Sequence, residues 1–180
     1  DGITKGEDAK LDFEPENRNL TLKNVAIDGN IVNLSTSEEA FTINIDGVNK
    51  VYSLTLGKKT MLVGWKVNAS DKLIIAASSE PLGIPEGGQL TVEHSTISIE
   101  HGLCLYNTST LAIQNSVFSV GSAFNADEDE VVRVKINNST VKAQSIYGFK
   151  EFTLEGVEYK QPQGAKWDSQ KREVVDGQGR

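Results

Sequence analysis

Three features of the 180-residue sequence predict an all-β chain. Apolar residues alternate two apart and recur about every 20 residues, a residue tolerant of left-handed backbone divides each copy, and no helical pattern separates the copies. Together they specify a right-handed parallel β-helix, a β-solenoid, of roughly six to eight short coils.

The clearest copies are Leu20-Leu22-Asn24-Ile27, Leu90-Val92-His94-Ile97, Leu111-Ile113-Asn115-Phe118, Val134-Ile136-Asn138-Val141 and Phe152-Leu154-Gly156-Tyr159. The last four start 21, 23 and 18 residues apart. A looser copy runs Leu54-Leu56-Met61-Val63 with Lys58 at the turn place, and Leu73-Ile75 begins another. Within a copy the first two apolar places are two apart, which is strand alternation. The next apolar place lies five further on, so the inward parity has flipped. A straight strand cannot do this, and the chain must bend between the two halves. The bend falls on Asn24, His94, Asn115, Asn138 and Gly156, residue types that accept positive φ. Each copy therefore reads as strand, corner, strand, with the corner Asn residues stacked into a hydrogen-bonded ladder.

The gaps hold turn sequences such as "YNTST" and "IPEGG", where an α/β fold would need amphipathic helices. A single coil orders more backbone than its few buried side chains offset. Stacked coils share an apolar floor and satisfy each other's backbone at about 4.8 Å spacing, so repetition makes the fold stable. The reading divides the chain into an N-terminal tether or cap (1–18), a solenoid (19–165) and a C-terminal cap or the start of a continuing segment (166–180).

The formal charge of −7 with four Arg argues against nucleic-acid binding, and no apolar run approaches the 18 residues that a membrane span needs. The opening residues lack a secretory signal pattern. Cys104 is the single cysteine, which rules out an internal disulfide and reads as a small packed thiol. His94 is a corner residue, and His101, beside Gly102, is a turn residue.

The segments "LTVEHSTISI" and "VKINNSTVKAQSIYGFKEFTLEGVEYKQPQGAKWD" and the closing "VVDGQG" resemble the parallel β-helix repeats of secreted or surface-anchored proteins of gut Bacteroidetes. The resemblance is best over 89–180 and looser over 18–88. It implies a secreted or cell-surface protein, adhesion-like or carbohydrate-binding, with no assigned active site. The stretch "NSVFSVGSAF" also resembles one repeat of a surface leucine-rich protein, but the 18-residue spacing before Phe152 is short for that family.

Stacking the coils places the outward residues in rows that bear on enzymatic and binding function. The outward row Lys23, Glu93, Gln114, Asn137 and Glu155 sets its two glutamates three coils apart, about 14 Å. Glycosidase carboxylates stand roughly 5–9.5 Å apart. The row Asp28, Ser98, Ser119, Lys142 and Lys160 contains no acid pair. Lys135 and Glu155 read as a cross-strand ion pair. The run Asp127-Glu128-Asp129-Glu130 reads as a solvated loop, with Ca²⁺ coordination as the alternative, and lacks the alternation and glycine of an EF-hand loop. No catalytic residue is nominated. The candidate ligand-binding residues are Trp65, Tyr106, Tyr147 and Trp167, because a flat ring matches a sugar face. Lateral packing or end-capping is the competing reading for each. The leading functional expectation is a non-catalytic surface module whose partner is a host or cell-surface protein or a glycan. A polysaccharide lyase or hydrolase on the same scaffold is the alternative.

Overall fold

The computed structural model describes residues 3–65, 71–127, 129–156, 164–176 and 178, with side chains described from residue 8 onward. The chain opens with β1 (Ile3–Glu14) and the long β2 (Asn19–Val32), followed by β3 (Phe41–Asp46), β4 (Val48–Thr55), β5 (Lys59–Gly64), β6 (Lys72–Ile75) and β7 (Leu82–Ile84). The middle coils contain β8 (Gln89–Glu93), β9 (Thr96–Ile99), β10 (Cys104–Leu105), β11 (Thr110–Gln114), β12 (Val117–Val120) and β13 (Ala123–Asn125). The series closes with β14 (Arg133–Asn137), β15 (Thr140–Lys142), β16 (Ser145–Tyr147), β17 (Glu151–Glu155), β18 (Lys166–Asp168) and β19 (Glu173–Val175). Among the described residues no helix is long and apolar enough to cross a membrane.

The strands stack in parallel into a β-solenoid of about five turns, close to the number of coils expected from the repeats. The first half of β2 joins β3, β5, β8, β11, β14 and β17 in a first face. Its second half joins β4, β6, β9, β12 and β15 in a second. The ends of β2 and β4 continue through β7 and β10 as a third, which β13 and β16 extend as a separate short sheet. Leu90, Leu111, Val134 and Phe152 stand opposite one another across successive coils, as do Val92, Ile113, Ile136 and Leu154. The corner residues Asn24, His94, Asn115, Asn138 and Gly156 all have positive φ, between 44° and 62°. The bend inferred from the parity flip is therefore made at the expected residue in each of the five copies.

Two coils differ from the sequence expectation. Ile43-Ile45 leads into a corner at Gly47 (φ 70°), and Thr60-Leu62-Gly64 forms the inward row of the next coil. Leu54 instead lies on the third face opposite Leu82, while Met61 and Val63 occupy outward places of β5. Leu73 and Ile75 do not begin a copy; they fill the second face opposite Ile97 and Ile99. Leu20 aligns through Ile43 and Leu62 with Val92, not with Leu90, because the first coils run two residues further before they turn. Tyr159 lies outside the described residues.

The ladder along this corner also differs in its chemistry. The Oδ1 of Asn24 accepts from Val48 N–H at 3.2 Å, but in the later coils the cross-coil side-chain bonds come from serines one place beyond the corner. Ser95 N–H donates to Ser116 Oγ at 3.2 Å, and Ser116 N–H donates to Ser139 Oγ at 3.1 Å. Each accepting hydroxyl donates back within its own coil, Ser116 to the Gln114 carbonyl and Ser139 to the Asn137 carbonyl. In the first coils the same role falls to the buried Asn49, which accepts from Val25 N–H at 3.0 Å, and to the buried Asp71, which accepts from Gly47 N–H at 2.9 Å. Backbone donors exposed by the bend are thereby satisfied.

Thr60 stands in the inward row between Phe41 and Leu90, fully buried, and its hydroxyl has no partner. An unpaired buried hydroxyl costs free energy that an isosteric methyl does not. Thr60→Val is expected to raise the unfolding free energy by about 1 kcal/mol, read as a higher urea midpoint at an unchanged slope; an unchanged or lower midpoint contradicts this.

Both ends of the stack carry antiparallel strands. β1 pairs antiparallel with β2, and β19, hairpinned to β18, pairs antiparallel with β16. Asp168 organises that hairpin by accepting from the backbone N–H groups of Lys171 and Gln170, which hold its carboxyl below the usual carboxylate range. Arg172 donates from its guanidinium to the carbonyls of Phe149, Glu130 and Gly148, tying the hairpin to the last coils. At Gly148 (φ 89°) a Cβ would overlap the Ala126 carbonyl, so the chain needs glycine there.

Candidate functional site

The first face is the broadest surface the solenoid offers. Seven parallel strands at about 4.8 Å spacing make it about 29 Å long. Its outward rows, set by the registers, are Asn19, Thr42, Met61, Thr91, Ala112, Lys135 and Thr153 beside Thr21, Asn44, Val63, Glu93, Gln114, Asn137 and Glu155. Most of these side chains are short or uncharged, and Asn44 Nδ2 donates to Asn19 Oδ1 at 2.8 Å within the surface. Lys23, expected in the row of Glu93, lies two residues further along, opposite Asp46.

The acids on this face are dispersed. Asp46 pairs with Lys23 at 3.6 Å, Glu151 with Arg133 at 3.0 Å, and Glu155 with Lys135 at 3.4 Å. The Lys135–Glu155 pair is the one the repeat alignment anticipated, and Asn137 Nδ2 adds a hydrogen bond to the same carboxylate at 3.3 Å. Glu93 stands between Val63 and Gln114, and two strands, carrying Gln114 and Asn137, separate it from Glu155 in register. No two carboxylates of these seven strands are neighbours in register, so the face presents no pair at glycosidase spacing.

The four aromatic candidates fall in three places. Trp65 follows β5 directly, and its N–H donates to the Ile45 carbonyl at 2.8 Å, which extends the first face at its corner. The residue is 61% exposed, the most exposed of the four. Asp46 follows Ile45, so Trp65 borders the Lys23–Asp46 pair. Tyr106, after β10, and Tyr147, at the end of β16, belong to the third-face side of different coils, and both are exposed. The Glu80 carboxylate beside the Tyr106 phenol, with some burial, raises its pKa and keeps it a neutral hydroxyl. Trp167 is partly buried and stacks on Phe152 with centroids 4.6 Å apart and 29° between planes. It extends an aromatic column through Phe149 and Phe124 to Phe118 and covers the last coil.

The acidic run lies between β13 and β14, and Glu128 is outside the described residues. Asp127 and Glu130 close a turn, with Glu130 N–H donating to the Asp127 carbonyl at 3.0 Å. Burial and then the Asp127 charge push the Glu130 carboxyl above its usual range. Among the described residues no group of three or more His, Cys, Asp and Glu is placed to hold a metal ion. Cys104 is half-buried; desolvation, then Glu80, Asp127 and Glu130, raise its thiol further, so it is protonated and a poor nucleophile at neutral pH. His94 has the corner conformation at φ 52°.

The Lys23–Asp46 pair beside Trp65 is the element that the repeat alignment missed. The signal was present in "FTINIDG", where Ile43 and Ile45 alternate before Gly47. No protein-family model matches this chain, and neither does any curated protein or solved structure.

Proposed function

We propose that the protein is a non-catalytic module of the secreted or cell-surface kind, related to the β-helix repeat proteins of gut Bacteroidetes, that adheres through its first face to glycans. Trp65 is the ring on which a sugar stacks. What carries the reading is the composition of that face: long, flat and rich in Thr and Asn, with three of its carboxylates held in ion pairs and one exposed tryptophan at its corner. Amide and hydroxyl side chains in register offer donors and acceptors to sugar hydroxyls, and the ring supplies an apolar plane. The Lys23–Asp46 pair beside the ring supplies a charge-assisted partner for a hydroxyl or an acidic substituent.

A glycan array probed with the wild type and with Trp65→Ala tests this. The wild type should retain a defined glycan class, and the variant should bind it about tenfold or more weakly, the loss expected for a stacking ring. Its thermal midpoint should be unchanged, because the ring is mostly exposed. Release of new reducing ends from a bound polysaccharide would replace the adhesion reading with the enzymatic one, and equal binding by Trp65→Ala would remove Trp65 from the site.

A further inference from the structure

We propose that the outer edge of β1 pairs with β1 of a second copy, forming a two-fold antiparallel dimer centred on Leu11. Among the described residues β1 has one strand neighbour, β2, so its other edge presents unpaired backbone donors and acceptors. An edge of this kind is a template for another strand. Leu11 and Phe13 stand opposite Leu22 and Leu20, which places them on the core side of the sheet, yet they are 40% and 58% exposed. Phe13 touches Phe41 at 6.1 Å between centroids, so the exposed residues continue the core outward.

The charge pattern selects the occupant. Lys10 and Asp12 flank Leu11, and within one copy they pair at 2.7 Å on the outward side. A two-fold axis through Leu11 sets each Lys10 against the second copy's Asp12, giving two identical cross-strand ion pairs, as a self-complementary interface requires. The same axis sets Phe13 against the second copy's Ala9, where a small side chain leaves room for the ring. It also fixes the length of the pairing. Glu14 would oppose Asp8, but Asp8 has φ 58° and lies in the register break between Lys5 and Lys10, so the regular ladder ends before that like-charge pair.

Sedimentation equilibrium of the whole chain, from micromolar to sub-millimolar concentration, tests the proposal. The wild type should associate reversibly to a dimer. Lys10→Asp sets like charges against each other in both cross-strand pairs and should weaken the dimer about tenfold or more. The exchange Lys10→Asp with Asp12→Lys should restore it. Phe13→Lys should be monomeric with an unchanged circular dichroism spectrum. A monomer at every concentration, which would leave this edge to a different occupant, overturns the proposal. A dimer indifferent to Lys10→Asp and Phe13→Lys overturns it equally.

Discussion

Phe149→Ala should lower the unfolding free energy by about 3–5 kcal/mol, the range for truncating a fully buried aromatic ring. Phe149 is 0% exposed and lies at the centre of the aromatic column, 4.8 Å from Phe124, 5.6 Å from Phe152 and 6.4 Å from Trp167. Its removal opens a cavity between the body of the solenoid and the C-terminal hairpin. The hairpin is also tied on by the register pair between β16 and β19, by the Trp167 stack on Phe152, by Gly148 N–H donating to the Arg172 carbonyl, and by the Arg172 guanidinium on the Phe149, Glu130 and Gly148 carbonyls. A urea titration gives the magnitude. A second readout locates the damage. The chain has two tryptophans, so a Trp65→Phe background leaves Trp167 as the single emitter. Its fluorescence should shift to the red in Phe149→Ala below the main transition, as the hairpin lifts from the last coil. A cost under about 1 kcal/mol, or an unshifted spectrum, contradicts the capping role assigned to this column.

Asn49→Leu should cost about 3 kcal/mol or more, although it exchanges one side chain for another of similar size. The residue is fully buried, accepts from Val25 N–H, and donates to the Asp46 and Gly47 carbonyls. Leucine leaves the Val25 donor without its acceptor and takes a donor from the Asp46 carbonyl, at about 1–3 kcal/mol for each buried group; the Gly47 carbonyl keeps its bond from Lys72 N–H at 2.8 Å. Hydrogen exchange gives the sharper check, because the Val25 amide should lose protection by more than the global destabilisation explains. Asn49→Asp separates the two halves of the interaction: it keeps the acceptor for Val25 and loses the donors, so its damage should centre on the Asp46–Gly47 corner. Equal protection of Val25 in the wild type and in Asn49→Leu would show that the bend is satisfied by other means.

The later coils were legible in the sequence because all their inward places carry large apolar residues, and because Asn, His or Gly marks the same corner each time. Leu90, Leu111, Val134 and Phe152 needed only to be aligned. The second and third coils were hidden for physical reasons. Thr60 and Gly64 take places that Phe41 and Ile45 hold in the coil before, and a hydroxyl or a missing side chain breaks a hydrophobic pattern without breaking a backbone register. The first coils also turn two residues later, which displaced Lys23 from its expected row and hid its pairing with Asp46. Of the candidate site, residue type announced the four aromatic rings, but exposure did not follow from type. Trp65 extends the broad face, whereas Trp167, the same residue, is stacked on Phe152. The serine ladder was illegible because a bend specified by Asn gives no indication that the residue after it forms the bond.

Of the five cross-coil side-chain bonds described at this corner, four point one way, and the Val48 N–H bond to Asn24 Oδ1 points the other. Val25 leans on Asn49, Gly47 on Asp71, Ser95 on Ser116 and Ser116 on Ser139, and in each case the acceptor belongs to a coil later in the chain. On a ribosome, where the N-terminus emerges first, each of these four acceptors is therefore made after the donor it satisfies. At these four positions synthesis and satisfaction advance in the same direction, and each amide stays open until the following turn is made.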